Sequence, residues 1–152
     1  MCFPGAFDAT DDMDQEPIRI ATREEAMEIG KRLRAFNASV VGEHRFEPLW
    51  LVHPGTDGEI IGGVVGEVGF DWLHLNILWV AEAHRKAGLG SALLIAAERA
   101  AIDIGARHAW LDTFEWQAEG FYTGHGYSVF GRLEDFPEGR QRMFMRKALV
   151  NV

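Results

Sequence analysis

The chain has 152 residues, 47% hydrophobic and 25% charged, the balance of one soluble globular domain with enough material for a core. Its formal net charge of −8 argues against a general nucleic-acid partner, which needs a basic face to displace counterions, and is compatible with an amine partner. No run approaches the ~20 apolar residues of a membrane span. The start, Met1-Cys2-Phe3-Pro4-Gly5, lacks a signal-peptide pattern, and Cys2 as the lone cysteine excludes an internal disulfide, so a cytoplasmic protein is expected.

Residues 1–16 carry five acidic residues with little periodicity and read as a mobile acidic arm ahead of a single domain over 17–152. Pro17-Ile18-Arg19-Ile20 alternates like a short strand. Thr22-Arg23-Glu24-Glu25 matches a capping box, and Ala26, Ile29, Leu33 and Phe36 behind it share one face, which predicts a helix over 22–37. Residues 46–53 and 59–70 are rich in strand formers around the turn Pro54-Gly55-Thr56-Asp57-Gly58, which predicts a hairpin. A strand over 72–80 follows. Its alternation places His74 and Asn76 on one face, with Leu73, Leu75 and Ile77 on the other.

From Gly88 the period changes. Leu93, Ala96, Ala97, Ala100 and Ile104 form a helical stripe that Gly105 ends. A strand over 107–114, a short helix over 116–125 and strands over 127–133 and 141–149 complete the chain. There is no internal repeat.

The strongest local signal is the loop Arg85-Lys86-Ala87-Gly88-Leu89-Gly90 between a strand and a helix. A helix start offers unpaired N–H groups and the positive end of its dipole, which suits a phosphate. Glycines at 88 and 90 let an anion approach the backbone. No lysine follows Gly90 as a P-loop requires. The dinucleotide fingerprint fits Gly88 and Gly90, with Asp112 at the end of the next strand, but Leu93 stands at the third glycine position and the repeated βαβ units are missing. A glycine-eased turn with surface charge is the plain alternative.

The run from Leu78 through His84-Arg85-Lys86-Ala87-Gly88-Leu89-Gly90-Ser91, followed by Phe121-Tyr122-Thr123-Gly124-His125-Gly126-Tyr127, resembles the GNAT superfamily of acetyl-CoA-dependent N-acetyltransferases. The resemblance implies an α/β (α+β) fold with a mixed, twisted sheet of about six or seven strands. That sheet would be splayed between the strand ending at Val80 and the strand through Leu111, with acetyl-CoA in the gap. It implies that the backbone at Leu78 and Val80 pairs with the pantetheine arm, and that Arg85, Lys86, Ala87, Gly88, Leu89, Gly90 and Ser91 surround the pyrophosphate. Gln117 stands nearest the place where many relatives carry an asparagine on the cofactor arm.

The same resemblance implies a small-molecule amine acceptor attacked directly in a ternary complex. Tyr122 would be the general acid at the leaving thiol, since a phenol stays protonated at neutral pH. His74, on the polar face of its strand, is the first choice for the base. Glu67 on the preceding strand is the second. Each residue has a packing role as its alternative, and a non-catalytic acyl-CoA-binding module is the alternative for the whole. Acceptor contacts are expected from residues 36–48 and 131–142, where Glu43, Glu47, Glu134 and Asp135 would suit a cation. The six histidines show no metal-ligand spacing, and a homodimer is expected only because twofold pairing is common.

Overall fold

The computed structural model describes residues 18–150. The predicted acidic arm lies outside the described residues. The described residues divide into two compact units, one up to residue 43 and the other from residue 44.

In the first unit, α1 (Arg23–Val41) starts where the capping box predicts. Thr22 Oγ1 accepts from Glu25 N–H, and the Glu25 carboxylate accepts from Thr22 N–H at 2.8 Å. Two of the orphan donors at the helix start are thus satisfied reciprocally. The helix runs to Gly42, which at φ +82 takes a conformation that favours glycine. Residues 18–20 form no strand, so the short alternation there is not enough to make one.

The second unit holds a six-stranded sheet. Its strands are β1 (Glu47–Pro54), β2 (Ile60–Gly69), β3 (Trp72–Val80), β4 (His108–Phe114), β5 (Ser128–Glu134) and β6 (Gln141–Ala148), and the helices are α2 (Leu89–Ile104) and α3 (Glu119–Gly124). The spatial order is β1-β2-β3-β4-β6-β5. All neighbours are antiparallel except β3 and β4. A parallel pair needs a crossover, and α2 supplies it.

One face of the sheet is apolar and packs under α2. Leu73, Leu94, Leu111 and Met145 are fully buried, with Ala97 and Ala101 between them. Alanine on the inner stripe lets a helix lie close to a sheet while Leu93 and Leu94 fill the space beside it. Burial of each large side chain contributes about 1.5–3 kcal/mol, so Leu94→Ala would cost about 2–5 kcal/mol.

Two irregularities in β3 shape everything that follows. First, Val65 faces Ile77 but Gly66 faces Leu75, so Asn76 is an extra residue on β3. This bulge reverses the alternation. Leu73 and Leu75 point into the core before it, and Leu78 and Val80 pack against the core after it. The simple alternation placed Ile77 with Leu73 and Leu75. Instead Ile77 is exposed and shares a wall with Trp50, Val65 and Trp79. Second, the β3–β4 ladder covers only four pairs and ends at Leu75–Leu111. Beyond it the two strands separate.

Candidate active site

The split between β3 and β4 opens into two adjoining cavities, of about 430 Å3 and about 570 Å3. Both are lined by Leu78, Val80, Arg85, Ala118 and Tyr122. The first extends to Lys86, Gly88, Gly90, Ser91 and Phe121. The second extends to Asn76, Asp112, Thr113, Trp116 and Gln117.

The first cavity is built mainly from backbone. After β3 the chain makes a 3-10 turn at Glu82–His84 and then enters α2. Lys86 at φ +62 and Gly88 at φ +87 take left-handed conformations that aim this loop. Gly88 has no side chain to cap the helix, and the first helix donor to find a partner is Ala92, on Gly88 O at 3.0 Å. The N–H groups of Leu89, Gly90 and Ser91 are left for an anion, at the positive end of the helix dipole. A Cβ on Gly90 would sit 3.7 Å from the Phe121 ring and 3.8 Å from Val80, which is ordinary contact. Gly88 is therefore required for its backbone angle, whereas the surroundings of Gly90 leave room for a Cβ. Arg85 donates from Nε to Val80 O at 3.0 Å, which ties the loop to the end of β3. The Leu89 side chain turns into the core and neither it nor Ala87 lines the cavity, so Leu89 offers only its backbone.

Tyr122 stands where the cavities meet. It is buried, and desolvation pushes its phenol up to about 12. Its ring meets Phe121 and Tyr127 edge-on at 5.1 and 5.7 Å. A phenol with that proton affinity remains a donor at any physiological pH.

The predicted bases sit elsewhere. His74 stacks flat on Trp110, with ring centroids 3.7 Å apart, and its Nδ1 is 3.8 Å from Glu67 Oε1. Burial holds His74 below its ordinary value, against the opposing pull of Glu67 and Asp112. The shift favours the neutral imidazole. Neither His74 nor Glu67 lines the two cavities. Gln117 does line the second, but its Oε1 accepts from Thr113 Oγ1 at 3.2 Å and Phe114 N–H at 3.1 Å. It pins the end of β4.

Sequence reasoning missed Asp112 and Arg142. Asp112 enters the sequence reading only as a position of the dinucleotide fingerprint, yet it stands on the wall of the second cavity with Arg142 against it at 2.6 Å. The pair joins residues thirty positions apart, and nothing local to either announces it. Of the expected acceptor residues, Glu134 accepts from Gln141 Nε2 and Asp135 accepts from Gly139 N–H. Both are committed to the β5–β6 turn. Among the described residues no group of three or more His, Cys, Asp or Glu could hold a metal, and no helix is long and apolar enough to cross a membrane.

A splayed parallel pair with a glycine-started helix after the first strand is a specific arrangement, and comparison with known proteins agrees with it. The acetyltransferase (GNAT) family model matches residues 11–127. The chain belongs to the GNAT acetyltransferase family. It is 39% identical over 109 residues to a blasticidin-S acetyltransferase of Streptomyces morookaense, covering 70% of this chain and 80% of that protein. It is 30% identical over 128 residues to an acetyltransferase of Agrobacterium fabrum, covering 84% and 93%. The crystal structure of an acetyltransferase from Bacillus cereus superposes with a TM-score of 0.83 at 37% identity, covering 88% of this chain and 97% of that one. Acetyltransferases of this family use acetyl-CoA, and the glycine cradle, the free helix donors and the basic Arg85 and Lys86 fit its anionic end.

Proposed function

We propose that this acetyltransferase moves an acetyl group from acetyl-CoA to a primary amine of a small molecule, by direct attack in a ternary complex. The observation that carries the reading is the pair of cavities meeting at Tyr122, one ending in a backbone anion cradle and the other in a carboxylate. Acetyl-CoA supplies an activated acyl group when bound. The N–H groups of Leu89, Gly90 and Ser91 hold the pyrophosphate, with Arg85 and Lys86 at the mouth. The free edge of β3 beyond Leu75 offers Leu78 and Val80 backbone to the extended arm, as an added strand would use it.

Tyr122 donates its proton at the sulfur that leaves. Its raised proton affinity keeps it loaded for that step. His74 takes the proton released from the amine. Because it does not line the cavity, it does so through solvent and not by direct contact, and its lowered proton affinity favours the neutral, receptive imidazole. A small-molecule acceptor is supported by the blasticidin-S acetyltransferase relative.

The test is free-thiol release from acetyl-CoA in the presence of a broad panel of primary amines. Amine-dependent thiol release is expected. Acetyl-CoA binding with no release across the panel would instead favour a non-catalytic acyl-CoA-binding module.

A further inference from the structure

The second cavity contains a charged group that the transfer chemistry does not use. Asp112 and Asn76 are the first residues past the end of the β3–β4 ladder, one on each separating strand. Both line the cavity, and Tyr122 lines it as well. Arg142 reaches Asp112 from β6 with Nε at 2.6 Å and a terminal nitrogen at 2.5 Å, and both contacts fall on Oδ2. A fork aligned with a carboxylate normally takes one oxygen with each nitrogen. Among the described residues no hydrogen bond falls on Oδ1.

The guanidinium is itself held firmly. It lies 5.3 Å from the Phe114 ring, 5.3 Å from Phe136 and 6.0 Å from Phe144. The backbone on the other side of Asp112 is pinned by Gln117 through Thr113 and Phe114. A carboxylate fixed from both sides, on a residue that lines the cavity, is a built acceptor of hydrogen bonds. Arg142 and Arg85 offset part of its charge, so what it offers a guest is an acceptor for the N–H groups of a cation.

Arg142 already occupies one oxygen of that carboxylate, which suits it to hold a cation in place and not to take the proton of the nitrogen that reacts. Pairing with a carboxylate favours the ammonium form, and an ammonium has no lone pair with which to attack. The useful guest is a different cation on the same molecule. We propose that Asp112 Oδ1 anchors a second basic nitrogen of the acceptor, so that the substrate class is an amine carrying at least two basic groups, and that Arg142 is the positioning residue that holds Asp112. This rests on the acetyltransferase reading above and narrows it.

The experiment compares matched acceptors in steady-state assays at saturating acetyl-CoA. The probes are 1,3-diaminopropane, 1,4-diaminobutane and 1,6-diaminohexane, each against the monoamine of the same chain length. The nucleophile is the same within a pair, and only the second cation differs. At least one diamine is expected to exceed its monoamine in kcat/KM by about 10- to 100-fold, the worth of a charged hydrogen bond. In Asp112→Asn that preference is expected to collapse to within about threefold, through KM, while acetyl-CoA affinity measured by calorimetry stays unchanged.

A wild-type enzyme that does not prefer any diamine overturns the proposal, as does a preference that survives Asp112→Asn. A loss in kcat alone also overturns it, because that would make Asp112 part of the proton transfer. If Asp112→Asn fails to fold, Asp112→Asn with Arg142→Met removes both partners and is read the same way. Should no amine be acetylated although acetyl-CoA binds, the acetyltransferase reading fails on its own. The same amine pairs are then titrated into the acetyl-CoA complex, where equal binding of diamine and monoamine overturns the role of Asp112.

Discussion

The two ends of the β3–β4 split are built from different materials. The end at Gly88 is mostly backbone: a left-handed glycine, free helix donors and a bare Cα at Gly90. The end at Asp112 is mostly side chain: a carboxylate, the arginine that holds it, the glutamine that pins its strand and the Trp116 indole stacked on Phe114. A backbone site recognises what all donors share. A side-chain site can be changed residue by residue without disturbing the sheet, and that is where acceptor choice can vary among proteins of one fold.

The sharpest way to break this comparison is to disturb the backbone end. Gly88→Asp adds a Cβ at φ +87 and a negative charge at the anion cradle. Acetyl-CoA affinity measured by calorimetry is expected to fall by at least about 100-fold, since several charged hydrogen bonds of about 1.5–3 kcal/mol each are lost together. Gly90→Ala is the counterpart. Its Cβ meets only ordinary contacts, so its effect should be far smaller than that of Gly88→Asp. Equal effects would mean that the loop works by something other than backbone geometry.

Next in size is the junction. Tyr122→Phe keeps the ring and removes the proton, and kcat is expected to fall by about 100-fold, the low end for a placed general acid. Acetyl-CoA affinity should hold. A parallel loss of both would make Tyr122 a packing residue. Because its phenol is pushed up to about 12, any alkaline limb in the wild-type rate below pH 10 must belong to another group.

Gln117 sharpens the boundary between the ends. The resemblance to relatives suggested a cofactor contact, whereas its Oε1 is engaged with Thr113 and Phe114. Gln117→Ala gives up two hydrogen bonds, about 1–2 kcal/mol of stability, and frees the end of β4 beside Asp112. A rise of several-fold in acceptor KM is expected, with acetyl-CoA affinity nearly unchanged. The reverse pattern would move Gln117 to the cofactor end.

This contrast also explains what could be read in advance. The cofactor loop is contiguous, so Gly88 and Gly90 reveal a backbone conformation through their identity alone. The hairpin of β1 and β2, the bounds of β3 and the start of α1 at its capping box were legible for the same reason, since each rests on neighbours in sequence. Ile77 was misplaced because one extra residue at Asn76 reverses every side chain after it, and the pattern Leu-Asn-Ile-Leu does not disclose a bulge. α3 begins at Glu119 and not near Trp116, because Gln117 is spent on β4. Asp112 and Arg142 were out of reach, since their pairing exists only once β4 and β6 are neighbours.

The smallest expected effect concerns His74, and it asks whether the polar face of the sheet takes part at all. Desolvation lowers its proton affinity below the ordinary value of 6.5, and Glu67 and Asp112 only partly oppose this. The folded protein therefore resists protonating His74 where the unfolded chain does not. Stability from this source is present above pH 6.5 and declines as the pH falls below it, because the unfolded state then binds more protons. His74→Gln should flatten that part of the stability profile. If His74 also accepts the amine proton through solvent, the wild-type kcat/KM profile contains a limb rising with pH whose midpoint lies below 6.5, and His74→Gln removes that limb with a loss of about tenfold. That is less than a directly placed base would give. A limb that survives the substitution while the stability profile flattens would assign His74 to its stack on Trp110 alone, and the proton would leave the amine through water without it.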